Sequence, residues 1–258
     1  MNRIVIKIGT ESLLNEEGRF DLRKPKVSSM IADIICLMER NVDVALVTSG
    51  AVGLGKSIVP RLEGYSDIAY KQTCAGVGQT KLIKEYSNAF AGYDISVSQI
   101  LCTHADFHNK IRSNSLKNVF EYYFRSRILS IINENDLLTK EELTLVKSTS
   151  ENDNLGFHVA RLVEATEYMV ITNTNGVYTG DPANPESVRI PILNEISNEL
   201  LEASKSKSNS GTGGMHSKLK VAKESLNSGM RMHVLDGENS TVMDHFEGRQ
   251  SGGTVIFR

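Results

Sequence analysis

Cysteine is scarce in this chain: Cys36, Cys74 and Cys102 are the three present in 258 residues, and no two of them form a CxxC pair. An odd number at wide spacing reads as free thiols in a reducing compartment, the cytoplasm, packing as small apolar groups rather than serving as nucleophiles. Long hydrophobic runs are missing as well. No stretch reaches the ~18 consecutive apolar residues of a membrane span. The apolar run inside the opening MNRIVIKIGT is too short and mixed for a secretory signal and reads instead as a first strand. Charge of one sign is also lacking, because 29 Lys+Arg against 31 Asp+Glu leave a net charge of −2. That balance argues against a nucleic-acid partner held by a global basic field. No internal repeat occurs. What is present, 40% hydrophobic and 23% charged residues, is the make-up of an ordinary soluble globule. A chain of this length buries roughly three quarters of its unfolded surface and needs no covalent staples.

Short β-branched runs bounded by turn residues predict strands at Arg3–Ile8, Val42–Thr48, Ile95–Leu101, Ile128–Ile132, Tyr168–Thr172, Met232–Leu235 and Gly253–Phe257. Between most of them lie segments with helical spacing. Pro25–Glu39 places Val27, Met30, Ile31, Ile34, Ile35 and Met38 on one stripe, and Ser115–Phe124, Gly156–Ala165 and Ser217–Ser228 read similarly. Alternating strand and helix predicts an α/β fold: a mostly parallel sheet covered on both faces, in one continuous domain over residues 1–258. Ligands in such folds bind at the carboxyl ends of the strands.

Gly50-Ala-Val-Gly-Leu-Gly55-Lys56-Ser57 matches the phosphate-binding pattern G-x-x-x-x-G-K-[ST]. Pro60 and Gly64 follow too soon for the helix that such a loop must open. The expectation is instead a turn at Thr48-Ser49-Gly50 and a helix from near Gly50 running past Lys56, which leaves Lys56 solvated. His104 and His108 have the spacing of two metal ligands on a helix, but Ala105 stands where H-E-x-x-H needs its Glu. They read as a half-exposed polar face, and no metal ligands are assigned. Lys7-Ile8-Gly9-Thr10 ends the first strand, so Lys7 either points into the crevice or sits at the sheet rim. Ser204–Gly214 is low in complexity. Its end, Ser210 to Met215, can form an anion-binding nest before a helix that carries Lys218. Asn133-Glu134-Asn135-Asp136 and Glu151-Asn152-Asp153-Asn154 hold more amides and carboxylates than helix capping needs. Those groups suit the charged ends of an amino acid and lysine partners.

Taken in order, VIKIGT (5–10), VTSGAVGLG (47–55), KQTCAGVGQ (71–79), VSQIL (97–101), INEND (132–136), ENDNL (151–155), TNTNGVYTGDP (172–182) and SGTGGMHSK (210–218) resemble the amino acid kinase superfamily. Within it, they resemble the glutamate 5-kinases. The resemblance runs from Ile4 to Phe257. The lysine start and the GTGGM-type loop are shared across the superfamily, whereas the other blocks together point to the glutamate enzymes.

The resemblance implies a three-layer α/β/α sandwich and ATP-dependent phosphorylation of the L-glutamate side-chain carboxylate, the first step toward proline. It implies Mg²⁺ with the ATP, feedback inhibition by proline, and a homodimer or homotetramer. It also implies a catalytic domain without the C-terminal PUA domain that many relatives carry. By the same resemblance Lys7 and Lys218 contact ATP phosphates and Asp153 orients both lysines. Ser49, Gly50, Ala51, Asp136 and Asn152 hold glutamate. Gly9, Thr172, Asn173 and the run Thr212, Gly213, Gly214, Met215, His216, Ser217 line the nucleotide. Departures are Glu11 in place of Ser, Glu151 and Asn173 in place of Asp, His216 in place of a small residue, and a longer segment 139–150 beside the glutamate site. The alternatives are another member of the superfamily, acting on N-acetylglutamate or UMP, and a non-catalytic nucleotide or amino-acid sensor. A P-loop NTPase is the remaining rival.

Overall fold

The computed structural model describes residues 2–138, 151–204, 214–249 and 252–258. In chain order, β1 (Arg3–Ile8) leads through the short α1 (Thr10–Leu13) to α2 (Pro25–Glu39) and β2 (Asp43–Val47). Then come α3 (Ala51–Lys56), the long α4 (Asp67–Ala91), β3 (Val97–Cys102), α5 (His104–His108), α6 (Lys110–Arg125) and β4 (Leu129–Glu134). The second half holds α7 (Glu151–Leu162), β5 (Glu167–Ile171), β6 (Val177–Tyr178), β7 (Arg189–Ile190), β8 (Ile192–Leu193) and α8 (Asn198–Ala203). It closes with α9 (Met215–Ser228), β9 (Arg231–Leu235), α10 (Val242–Phe246) and β10 (Thr254–Ile256).

Among the described residues, eight strands form one sheet in the order β3-β4-β2-β1-β5-β9-β10-β8, and β6 pairs with β7 in a separate ribbon. The sheet is parallel from β3 to β9, and only the β9–β10 junction is antiparallel. Side chains alternate faces along a strand. In β1, Ile4, Ile6 and Ile8 therefore enter an apolar layer with α2 and α4. Val5 enters the opposite layer, with Leu155 and Val159 of α7 and Leu219 and Ala222 of α9. These two layers and the sheet make the expected three-layer α/β/α sandwich. Lys7 follows Val5 on the α7–α9 face, at the carboxyl end of the central strand.

α2 starts and stops where its apolar stripe predicts, with Pro25 in its first turn, where a missing N–H costs nothing. α3 is shorter than expected. It ends at Lys56 because Ser57 caps it, its Oγ donating to the Leu54 carbonyl at 2.7 Å, and the Ile58 and Val59 amides turn back onto the Gly55 carbonyl. The glycines of the P-loop-like pattern serve helix packing instead. A Cβ on Gly55 would lie 1.9 Å from the Cys74 carbonyl oxygen, and one on Gly78 1.8 Å from that of Ala51. α3 and α4 thus cross backbone to backbone, and Lys56 is left exposed.

Candidate active site

The center of the site is a buried charge triplet. Asp153, in the first turn of α7, is fully buried, and Lys7 and Lys218 are each only 4% exposed. Lys7 Nζ lies 2.5 Å from Asp153 Oδ1, and Lys218 Nζ donates to Asp153 Oδ2 at 3.3 Å. The crevice reading of Lys7 is therefore the correct one. Burial works to raise the Asp153 pKa, but the pull and hydrogen bonds of the two lysines outweigh it and hold the carboxyl below its usual range. Burial and the neighboring Lys7 push the Lys218 ammonium below its ordinary value, against the attraction of Asp153. Two cations and one anion leave one net positive charge, shielded from water and aimed at the carboxyl ends of the strands. That is where an anionic group would be stabilized.

Asp153 is fixed from below. The Tyr168 hydroxyl of β5 donates to the Asp153 backbone carbonyl at 2.9 Å. Gly156, one turn on, makes room for that ring, since a Cβ there would lie 2.3 Å from the hydroxyl oxygen. Tyr168 was not singled out from the sequence. Its signal, a lone Tyr in a buried strand opposite a helix glycine, shows only once the pairing is known.

Sheet order spreads the remaining candidates along one edge. β4, β2, β1 and β5 are consecutive neighbors, and they are followed by Asp136, by Ser49-Gly50-Ala51, by Gly9 and by Thr172-Asn173 in that order. Ser49 Oγ lies 2.7 Å from Thr10 Oγ1, which ties the β2 end to the β1 end. Gly50 takes a left-handed turn (φ 99°) to start α3, a conformation open to glycine. In the first turn of α7, beside Asp153, Asn152 Oδ1 is buried without a hydrogen-bond partner among the described residues. Gln79 Nε2 is in the same state, while Gln79 Oε1 accepts from Asn133 Nδ2 at 2.8 Å. A buried amide left open costs free energy unless a ligand fills it. These two present one acceptor and one donor. Gln79 stands in the KQTCAGVGQ block but carried no sequence-based assignment.

On the β5 side, Asn173 Nδ2 donates to Glu11 Oε2 at 3.0 Å. Two of the departures noted in the sequence thus meet each other. Gly214, Met215, Ser217 and Lys218 open α9, with Gly214 as its N-cap. His216 faces away from this edge toward α8, its Nδ1 2.9 Å from the Leu201 carbonyl and 3.1 Å from Ser204 Oγ. Thr212 and Gly213 lie outside the described residues, as does segment 139–150. His104 and His108 pack edge-on against a third imidazole, His158, and no set of three or more metal-ligating side chains converges among the described residues.

A sequence profile of the amino acid kinase family matches residues 2–236. The chain belongs to the amino acid kinase family. It is 35% identical to the glutamate 5-kinase of Clostridium perfringens over 257 residues, 98% of this chain and 94% of that one. It is 37% identical to glutamate 5-kinase 1 of Bacillus subtilis over 254 residues, 97% of this chain and 68% of that one. In fold it is similar to a carbamate kinase from Giardia lamblia bound to AMP-PNP (TM-score 0.65, 15% identity, covering 100% and 98% of the two chains). A UMP kinase from Bacillus anthracis is equally similar (TM-score 0.66, 14% identity, covering 99% and 96%). Amino acid kinase membership and the α/β/α sandwich agree with the sequence-based expectation. No helix among the described residues is long and apolar enough to cross a membrane.

Proposed function

We propose that this amino acid kinase is a glutamate 5-kinase, transferring the ATP γ-phosphoryl group to the side-chain carboxylate of L-glutamate to begin proline synthesis. The observation that carries the reading is the near full-length similarity to glutamate 5-kinases, joined to the buried Lys7–Asp153–Lys218 triplet at the strand ends. A glutamate side chain ionizes with pKa near 4.3, so it is already a nucleophile at neutral pH and needs no general base. One carboxylate oxygen bonds to the γ-phosphorus as the bond from that phosphorus to the bridging oxygen breaks, leaving ADP and L-glutamyl 5-phosphate. No proton moves. The obstacle is bringing one anion up to another, and Lys7 and Lys218 are placed to offset that charge.

In this reading the acceptor lies on the β4–β2 side. Ser49, Gly50, Ala51, Asp136 and Asn152 hold it, and the Gln79 amide faces a carboxylate. ATP lies on the β5 side, by Gly9, Thr172 and residues 212–215, 217 and 218, while His216 is turned toward α8. Mg²⁺ enters as part of the substrate, on the nucleotide's phosphates. We further propose that the chain acts as one catalytic domain, assembles as a homodimer or homotetramer, and is inhibited by proline.

The test is incubation with glutamate, Mg-ATP and hydroxylamine, which traps the acyl phosphate as the γ-hydroxamate. Hydroxamate with glutamate supports the reading. Product only with N-acetylglutamate or UMP, or nucleotide binding without turnover, overturns it.

A further inference from the structure

Asn173 follows β5, and although the residue is exposed, both polar atoms of its side chain are engaged. Its Oδ1 accepts from Ser12 Oγ at 3.0 Å and from Lys26 Nζ at 3.2 Å, while its Nδ2 donates to Glu11 Oε2 at 3.0 Å. Ser12 is 2% exposed, so this end of the amide is anchored in the body of the protein. Lys26 Nζ also lies 3.7 Å from Glu238 Oε1 of the β9–α10 connection, and Lys24 Nζ donates to the Glu11 backbone carbonyl at 2.8 Å. One amide therefore ties α1, the start of α2 and the loop after β5. These segments surround the place where the nucleotide lies in the reading above.

We propose that Glu11 and Asn173 form a coupled positioning pair, in which Asn173 serves the reaction by fixing α1 against the loop of Thr172 rather than by contacting the nucleotide itself. The inference rests on the proposed nucleotide side of the site. Its chemistry is one of polarity. Position 173 must accept from Ser12 and Lys26 and donate to a carboxylate, and a primary amide can do both at once. A carboxylate at 173 would meet the Glu11 carboxylate at hydrogen-bond distance. Both positions are exposed, so the tie would be kept only if one carboxylate took up a proton, and otherwise the two side chains would turn apart into water. The charged groups facing the pair are Lys24, Lys26 and Glu238. Glu11 also acts on the charge of Lys218, adding to the hold of Asp153 on that ammonium. A displaced Glu11 would thus be felt at the phosphate end.

The test is a double-mutant cycle of N173D and E11Q in the full chain. ATP affinity is read by calorimetry without glutamate, and kcat with the KM for ATP is read by turnover. N173D is expected to weaken ATP binding about tenfold at pH 8, with part of that loss recovered at pH 6. The double variant N173D/E11Q restores a donor–acceptor pair with its polarity reversed. It is expected to bind ATP more tightly than N173D alone and to lose the extra pH dependence. Additive losses, or an N173D pH profile parallel to the wild type, overturn the proposal. Should N173D fail to fold, N173S with E11Q provides the same cycle, in which additivity again overturns the pair. Because ATP affinity is read without an acceptor, failure of the glutamate assignment leaves this result intact.

Discussion

At the scale of single residues, the buried triplet separates what serves charge from what serves the fold. Removing Lys218 leaves Asp153 paired with Lys7, so nothing buried is left uncompensated. Lys218→Ala is expected to fold and to lose turnover by at least ~100-fold, as loss of a transition-state charge partner does; kcat at saturating substrates with a matched thermal melt checks it, and near wild-type turnover would refute the role. Asp153→Asn is the opposite case. It strands two ammonium groups that are each 4% exposed, and such a loss costs about 3–5 kcal/mol. Chemical denaturation should therefore rank Asp153→Asn well below Lys218→Ala in stability, and equal midpoints would contradict the structure. Lys56 provides the control. It is exposed at the end of α3, so Lys56→Ala is expected to keep kcat within about twofold, whereas a P-loop enzyme would lose it.

At the scale of elements, the crossing of α3 and α4 is the least forgiving contact on the acceptor side. A Cβ at Gly78 would sit 1.8 Å from the Ala51 carbonyl oxygen, which is backbone and cannot swing away. Gly78→Ala is expected to destabilize by about 1–3 kcal/mol or more through overpacking. It should also raise the KM for glutamate more than that for ATP, because the shift falls on Ser49-Gly50-Ala51; equal effects on both would separate the crossing from the acceptor subsite. This contact also shows how far the sequence could be read. α2 was legible to the residue because its buried face is a stripe of Val, Ile and Met. α4, the longest helix, was not, because its buried face includes Cys74, Ala75, Gly78 and Gln79, small or polar groups whose period a hydrophobic pattern does not register. In the site, Lys7, Asp153 and Lys218 stood in recognizable blocks, and so did their neighbors. What the blocks could not convey was sheet order, which alone sets Asp136, Ser49, Gly9 and Thr172 side by side and brings Asn173 onto Glu11. Those contacts join residues far apart in the chain, through strand pairings that no local period encodes.

At the scale of the whole molecule, both helical layers carry an imidazole held neutral, and together they set how stability depends on pH. On the α2–α10 layer, burial pushes His245 down to about 4, helped by its neighbor His233, whose Nδ1 lies 2.9 Å from that of His245; the nearby Asp244 and Glu167 oppose the shift. On the α7–α9 layer, burial pushes His158 down to about 4 as well, with His104, His108 and Arg161 adding to the effect. An unfolded histidine titrates near 6.5, so between pH 6.5 and 4 the unfolded chain binds more protons than the folded one. Stability must then fall as the pH drops through that window. At pH 5 the loss from His245 is about 2 kcal/mol, and that from His158 is smaller because it is partly open to solvent. Asp153, held below the usual carboxylate range, keeps its contribution through this window and loses it only at lower pH. The acid-side decline between pH 7 and 5 therefore belongs to the imidazoles and not to the active site. Denaturation midpoints measured at pH 7.5 and pH 5 should differ by an amount that His245→Gln reduces and that Lys218→Ala leaves nearly unchanged. Equal midpoints at the two pH values, or a slope that disappears with Lys218→Ala, would place the titrating groups at the triplet instead.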